Sequence, residues 1–202
     1  DINDFVSGFS IILKPNGVST FEFTHLLKIV NNKLFDTIYH EHFSYLSLIT
    51  LETIFKKNGL QIFDAEELTT QGGSLRLYAQ RLDTGRRKIS NKVTQIRKQE
   101  IDAKIDTPEF YKEFQSQTNT IKDELLNFLI KAKKDNKKVI AYGAAAKGNT
   151  LLNYAGVKPD LISYVMDKNL EKQNKFMPGS RIPIKDENHL KNDKPDFILI
   201  LP

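Results

Sequence analysis

Four consecutive residues, Tyr39-His40-Glu41-His42, set a phenol, two imidazoles and a carboxylate within one short segment. Imidazole exchanges protons near neutral pH, and carboxylates and phenols do so when their surroundings shift them, so the run has the composition of an acid/base centre. Two other uses of the same side chains stay open. A purely structural network would employ the same hydrogen-bonding groups. A metal site would need converging ligands, but positions 40, 41 and 42 lack the i,i+4 spacing of helical ligands, and no HExxH motif or cysteine pair accompanies them. In an extended segment His40 and His42 share a face and Glu41 points away; in a turn, Glu41 can orient an imidazole. The flanking Phe35, Ile38, Phe43, Tyr45 and Leu46 imply a buried setting, where an unpaired carboxylate is costly.

Two further segments carry chemistry of a different kind. Gly72-Gly73-Ser74 stands beside Arg76, a cation able to hold an anionic group; the same three residues also suit a tight β-turn. Gly143-Ala144-Ala145-Ala146-Lys147-Gly148-Asn149-Thr150 follows an apolar strand-like run and opens a helix. Small residues at such a junction let a phosphate approach backbone N–H groups at a helix N-terminus, with Lys147 adding charge. Close helix–sheet packing needs small residues too. The spacing fits neither a Walker A loop nor GxGxxG, so a nucleotide contact through Gly143, Lys147 and Asn149 is the reading, with Asp167 at the end of the following strand as a candidate ribose ligand. His25, just past a strand, reads as packing or surface more readily than as an active-site group, and His189, among Lys, Asp and Asn, reads as solvated.

The rest of the composition bounds the function. The 202 residues carry a formal charge of +5, without cysteine, which excludes disulfides, thiolate metal sites and cysteine nucleophiles. The positive excess sits in residues 81–138, where helical periodicity and few aromatics favour a solvated helix face over a nucleic-acid surface. No run approaches the ~18 apolar residues of a membrane span, and no secretory signal is visible. A cytoplasmic protein with no nucleic-acid or membrane partner is expected.

The elements that must position these groups are α/β. A helix over 1–13, with Asp1 and Asn3 as candidate caps, leads to the turn Lys14-Pro15-Asn16-Gly17, where Gly17 can take positive φ. The strand Val18–Phe23 then delivers Glu22 towards the carboxyl edge of an open sheet. Thr50 caps a helix to Lys57, stopped at Asn58-Gly59. The strands 60–65 and 75–79 pair antiparallel and close a first domain near residue 80. Residues 81–106 are basic and moderately helical, and Thr107-Pro108-Glu109 starts a long amphipathic helix. Strand 139–143, helix 144–154, strand 161–167, a short extended piece at 182–184, a helix from 185 and strand 197–201 imply a parallel, Rossmann-like sheet. Both ends read as cut, the expectation being a piece of something larger.

Taken together, Phe35-Asp36-Thr37-Ile38-Tyr39-His40-Glu41-His42-Phe43-Ser44-Tyr45, Gly72-Gly73-Ser74-Leu75-Arg76 and Tyr142 through Tyr154 resemble S-adenosylmethionine-dependent C-methyltransferases of the deoxysugar type, over essentially the whole chain. The resemblance implies residues 1–82 as the C-terminal portion of a Rossmann-like methyltransferase domain, and residues 83–202 as a helical connector and a second Rossmann-like, substrate-binding domain. It implies methyl transfer to the carbon beside the ketone of a nucleotide-linked keto-deoxysugar, with His42 as general base and Tyr39 and Glu41 as companions. Gly143, Lys147, Asn149 and Arg76 are then the expected substrate contacts. The family's cysteine-rich zinc segment and glycine-rich cofactor loop are missing from these residues, so zinc is expected only in that other part. The chain alone is expected to be inactive, and no cofactor ligand is named. A nucleotide-sugar or NAD-dependent oxidoreductase and a non-catalytic substrate-binding module are the alternatives.

Overall fold

The structure, a computed structural model, describes residues 1–202 except the side chain of Asn192. The chain forms two compact units, Asp1–Leu34 with Phe43–Phe114, and Phe35–His42 with Gln115–Pro202. The segment Phe35–His42 therefore belongs by its contacts to the second unit, although the chain on both sides of it lies in the first. The first unit continues past residue 82 through a further helix to Phe114.

In the first unit, helix α1 (Ile2–Ile12) begins where the Asp1 carboxylate accepts from Asn3 N–H at 2.6 Å, which satisfies one of the orphan donors of the first turn. The turn after it closes through Gly17 N–H to Lys14 O at 2.8 Å. Gly17 is not at positive φ as expected; a Cβ there would meet Lys14 O at 3.0 Å, so space is what it supplies. Strand β1 (Ser19–Thr24), helices α2 (Leu26–Asn31) and α3 (Leu48–Lys57), strands β2 (Leu60–Leu68) and β3 (Ser74–Arg81) and helix α4 (Asn91–Asp102) follow. Ser47, not Thr50, caps α3, its Oγ accepting from Thr50 N–H at 3.2 Å. Gly59 at φ +76° then turns the chain into β2, the left-handed conformation that a Cβ disfavours.

The three strands lie in the order β1-β3-β2, with β3 antiparallel to both neighbours. This departs from the expectation for β1: it is an antiparallel edge strand, and Glu22 sits directly opposite Arg76 in the ladder instead of at a ligand-binding edge. Strand alternation sends Leu75, Leu77 and Ala79 inward onto Leu48, Leu51 and Phe55 of α3 and Val93 and Ile96 of α4, while Arg76 and Tyr78 face outward.

One buried hydrogen-bond cluster ties these layers together. Glu100 of α4 and His25 at the start of α2 are both fully buried, with His25 Nε2 2.7 Å from Glu100 Oε1. The same carboxylate accepts from the first N–H groups of α3, Leu48 N at 2.7 Å and Ile49 N at 2.9 Å. His25 gives its own backbone N–H to Gly73 O at 3.0 Å, and its carbonyl starts α2 by accepting from Lys28 and Ile29. The packing role expected of His25 is thus the one the fold gives it.

The second unit is an α/β fold with a parallel sheet. The 21-residue α5 (Phe114–Lys134), β4 (Val139–Tyr142), α6 (Ala146–Tyr154), β5 (Val165–Met166), β6 (Ile184–Lys185), α7 (His189–Asn192) and β7 (Phe197–Ile200) follow one another. Pro108 opens only a separate 3₁₀ turn, Pro108–Tyr111, and the long helix starts at Phe114. The sheet order is β6-β5-β4-β7, all parallel. The chain therefore leaves β4 towards β5 on one side and finds β7 on the other, which makes the carboxyl end of β4 a topological switch point, where open α/β sheets hold ligands. Leu129, Ala132, Val139, Ala141, Leu152, Ile162 and Val165 fill one side of this sheet. Ile140, Tyr164 and Met166 fill the other. His189 is not simply solvated: it is half-buried, 2.7 Å from Lys185 Nζ, with its ring edge-on to Tyr164.

Removing the Glu100 side chain leaves two helix-start N–H groups and a buried imidazole without their acceptor. Glu100→Ala is expected to lower stability by about 3–5 kcal/mol, and Glu100→Gln, which keeps one oxygen in place, by less. Urea unfolding followed by circular dichroism checks both; an alanine variant within about 0.5 kcal/mol of wild type would contradict the structural role.

Candidate active site

The acid/base segment begins with the 3₁₀ turn Phe35–Thr37. Backbone hydrogen bonds run through it in steps: Ile38 N–H to Phe35 O (2.9 Å), Tyr39 N–H to Thr37 O (3.1 Å) and His42 N–H to Tyr39 O (3.0 Å). The segment is a sequence of tight turns, not an extended strand, and so does not set His40 and His42 on a common face. His42 Nδ1 lies 2.7 Å from Thr37 O. A carbonyl only accepts, so Nδ1 carries a proton, and in the neutral ring Nε2 is left as the acceptor. The Tyr39 and His42 rings meet at 4.2 Å between centroids, tilted by 37°.

His40 and Glu41 are arranged otherwise. Their side chains are 89% and 71% exposed and stand 4.0 Å apart. Glu41 thus needs no buried partner, and the buried setting expected from the flanks holds for Phe35 but not for Ile38 (47% exposed) or Phe43 (94%). Partial burial raises the Tyr39 pKa, reinforced by the negative charges of Glu41 and Asp36. Its phenol therefore stays protonated and able to donate across the neutral range. The segment combines an oriented imidazole, a neutral phenol beside it, and a solvated carboxylate. Among the described residues no group of three or more His, Cys, Asp or Glu is gathered as a metal site would require.

The strand-to-helix junction in the same unit is built differently. Gly143 follows β4 directly at φ +97°, a conformation that a side chain would strain. Ala144 is then pinned by both its polar backbone atoms, its N–H to Asp167 Oδ2 at 2.8 Å and its O to Lys172 Nζ at 2.8 Å. Asp167 also accepts from Asn169 N–H at 2.8 Å. Burial opposes the Asp167 charge, but the Asn169 and Ala144 N–H groups and Lys172 outweigh it and hold the carboxyl below its ordinary pKa. An acid read as a ribose ligand is here the clamp of the loop. Gly148 serves packing: a Cβ there would come within 2.8 Å of the Leu201 side chain. Ala145 and Ala146 leave the start of α6 exposed, Lys147 is half-buried in the first turn, and Asn149 Oδ1 is buried without a hydrogen-bond partner among the described residues.

Arg76, the remaining expected contact, belongs to the first unit. It lies between two glutamates on the outer face of the sheet, with Nη2 2.9 Å from Glu22 Oε2 and Nη1 3.8 Å from Glu66 Oε2. The guanidinium holds Glu22 below its ordinary pKa. Tyr78 O–H donates to Glu66 at 3.1 Å, and Thr70 O–H to Glu22 at 3.1 Å. Gly72 and Gly73, at φ +85° and +129°, form the turn before this strand, and Cβ atoms there would strike Leu34 and Lys28. The tight-turn reading of that segment describes its geometry. A cavity of about 320 Å³ in this unit, between β2 and α4, is lined by Glu66, Glu67, Lys92, Gln95 and Gln99 and touches none of the expected site residues.

The Asp167 clamp has a pH signature. Its folded-state pKa is depressed, so its stabilisation is fully present above the ordinary carboxyl pKa and is lost as the pH falls through the depressed value. Wild type should therefore exceed Asp167→Asn in urea midpoint at ~pH 7, and the gap should shrink towards ~pH 3. A gap independent of pH would remove the charge from the account.

Residues 69–202 match the protein family described as the C-methyltransferase C-terminal domain. The chain is also 33% identical over 201 residues to C-methyltransferase NovU of Streptomyces niveus, covering all of this chain and 48% of that protein. The chain thus spans about half the length of this curated relative. With two thirds of its residues inside the family's match, including the whole parallel-sheet unit from Gln115 onward, this chain belongs to the C-methyltransferase C-terminal domain family.

Proposed function

We propose that this chain is the acid/base and substrate-holding part of an S-adenosylmethionine-dependent C-methyltransferase. Its substrate is a nucleotide-linked keto-deoxysugar, methylated at the carbon beside the ketone, and His42 is the general base. The observation that carries this reading is the Thr37 carbonyl on His42 Nδ1, which leaves Nε2 as the proton acceptor. His40, exposed and without such an orienting bond in its 4.0 Å contact with Glu41, lacks that preparation.

The chemistry follows from the ketone. A carbonyl acidifies the proton on the adjacent carbon. His42 Nε2 takes that proton while negative charge gathers on the carbonyl oxygen, and the protonated Tyr39 phenol can donate to that oxygen. The imidazolium that results keeps its Nδ1–H on Thr37 O. Glu41, exposed and next to His40, fits contact with polar groups of the sugar better than proton transfer from carbon. S-adenosylmethionine supplies an electrophilic methyl group when bound. The loop after β4 does not fit it as a cradle: the loop opens on a single glycine of positive φ, and Asp167 is bound to backbone amides and not open to a ribose.

For the nucleotide, the exposed start of α6 offers helix N–H groups and the charge of Lys147 to a phosphate, and the unpartnered Asn149 Oδ1 offers an acceptor to a hydroxyl. Gly143 lets the chain turn into that helix. Arg76 can contribute only by exchanging a glutamate for the ligand. In domain terms we read residues 1–82 as the end of a Rossmann-like methyltransferase domain, and 83–202 as a connector and a second Rossmann-like domain.

In the full-length enzyme, His42→Ala and His42→Asn should lower kcat by ~10²–10⁴-fold with nucleotide-sugar affinity little changed, while His40→Ala should stay close to wild type. Single-turnover methyl transfer and equilibrium binding separate the two effects. Near-normal turnover without the His42 imidazole would sink the assignment.

A further inference from the structure

We infer that Tyr154, at the last turn of α6, is a positioning residue for His42, acting through the Phe35 ring and the turns that follow it. The inference deepens the reading of His42 as base and rests on it. The acid/base segment has little of its own to hold it. Beyond Thr37 it contains no regular structure, and Ile38, His40 and Glu41 are exposed. Its buried members are Phe35 and Thr37, 8% and 1% exposed. Phe35 therefore anchors the segment, and its ring packs on Tyr154 with centroids 5.1 Å apart at 54°. Two residues along the chain from Phe35 lies Thr37, whose carbonyl holds His42 Nδ1, and the bond from Ile38 N–H to Phe35 O closes the turn around it.

Tyr154 is itself fixed from α5. Its O–H donates to Asn119 Oδ1 at 2.6 Å and accepts from Gln115 Nε2 at 2.9 Å, and Lys122 Nζ stands 5.8 Å over the ring. Packing alone would not need a tyrosine on a partly exposed helix face with its hydroxyl satisfied from both directions. The hydroxyl contacts set the ring's plane, and that plane is what Phe35 meets. α6 is also the helix whose N-terminus is proposed to face the nucleotide. Nine residues long, about 13 Å, it thus carries the nucleotide contact at one end and the support of the base at the other.

The test reads the imidazole directly and needs no methyl transfer, so its failure would leave the base assignment, tested by turnover, untouched. In the ¹⁵N-labelled 202-residue chain at about pH 8, where neutral histidine prevails, His42 should show one tautomer, protonated on Nδ1. Phe35→Leu, which keeps an apolar side chain but removes the ring, and Tyr154→Leu should replace that signal with a tautomer mixture. Tyr154→Phe, which keeps the ring but releases the hydroxyl contacts that set its plane, should give a smaller tautomer admixture than Tyr154→Leu. His189, in the same unit and bound to Lys185, should keep its wild-type shifts throughout and reports that the unit is folded. Wild-type His42 signals in Tyr154→Leu would overturn the inference. If Tyr154→Leu disturbs His189 as well, the Phe35→Leu spectrum alone decides, in the same two directions.

Discussion

A single buried carboxylate determines how the first unit is assembled. Glu100 receives an imidazole from the start of α2 and two backbone N–H groups from the start of α3, so three helices are fixed at one point. Each of those donors is buried or nearly so, and each would be expensive to leave without an acceptor. The arrangement also sets the neighbours: His25 N–H reaches the turn before β3, and Leu26 N–H reaches Leu46 O just ahead of α3. Hydrophobic contact would hold these elements together in many registers. The carboxylate admits one.

The second unit solves a different problem, that of keeping a loop open without losing its shape. Asp167 spans from the end of β5 to the loop after β4, and Lys172 closes on the same loop from the other polar atom of Ala144. The backbone at the switch point is thereby held while the start of α6 stays exposed. At the acid/base segment the same economy appears in smaller form, with one main-chain carbonyl serving both Tyr39 N–H and the His42 ring.

Much of this was legible in the sequence where the signal was local. The alternation Leu75-Arg76-Leu77-Tyr78-Ala79 specified β3, Asp1 the start of α1, Asn58-Gly59 the end of α3, and the strand–helix spacing after Lys138 the parallel sheet. What was missed depended on partners remote in the chain. The direction of β1 was decided by pairing with β3, more than fifty residues on. Glu100 meets His25 across 75 positions without any spacing to mark it. Ser47 displaced Thr50 as the cap by only one turn, within the usual uncertainty of helix ends. At the candidate site, the dense run of titratable residues was visible at once, but what distinguishes His42 from His40 is a backbone oxygen, which no side-chain pattern displays. Asp167 was visible as an acid at the right place, and its commitment to amide donors was not.

The crossing of Phe35–His42 from one unit into the other has a topological consequence. No single cut of this chain separates the two units, because the second is discontinuous: eight of its residues arrive between two stretches of the first. Recombination that exchanged residues 115–202 with a homologue would bring a new sheet and a new α6 but leave the old acid/base segment behind, to fit a Tyr154 position it had not packed against before. The residues that face each other across that seam are therefore constrained as a set, whereas the exposed start of α6 lies outside it and escapes that constraint.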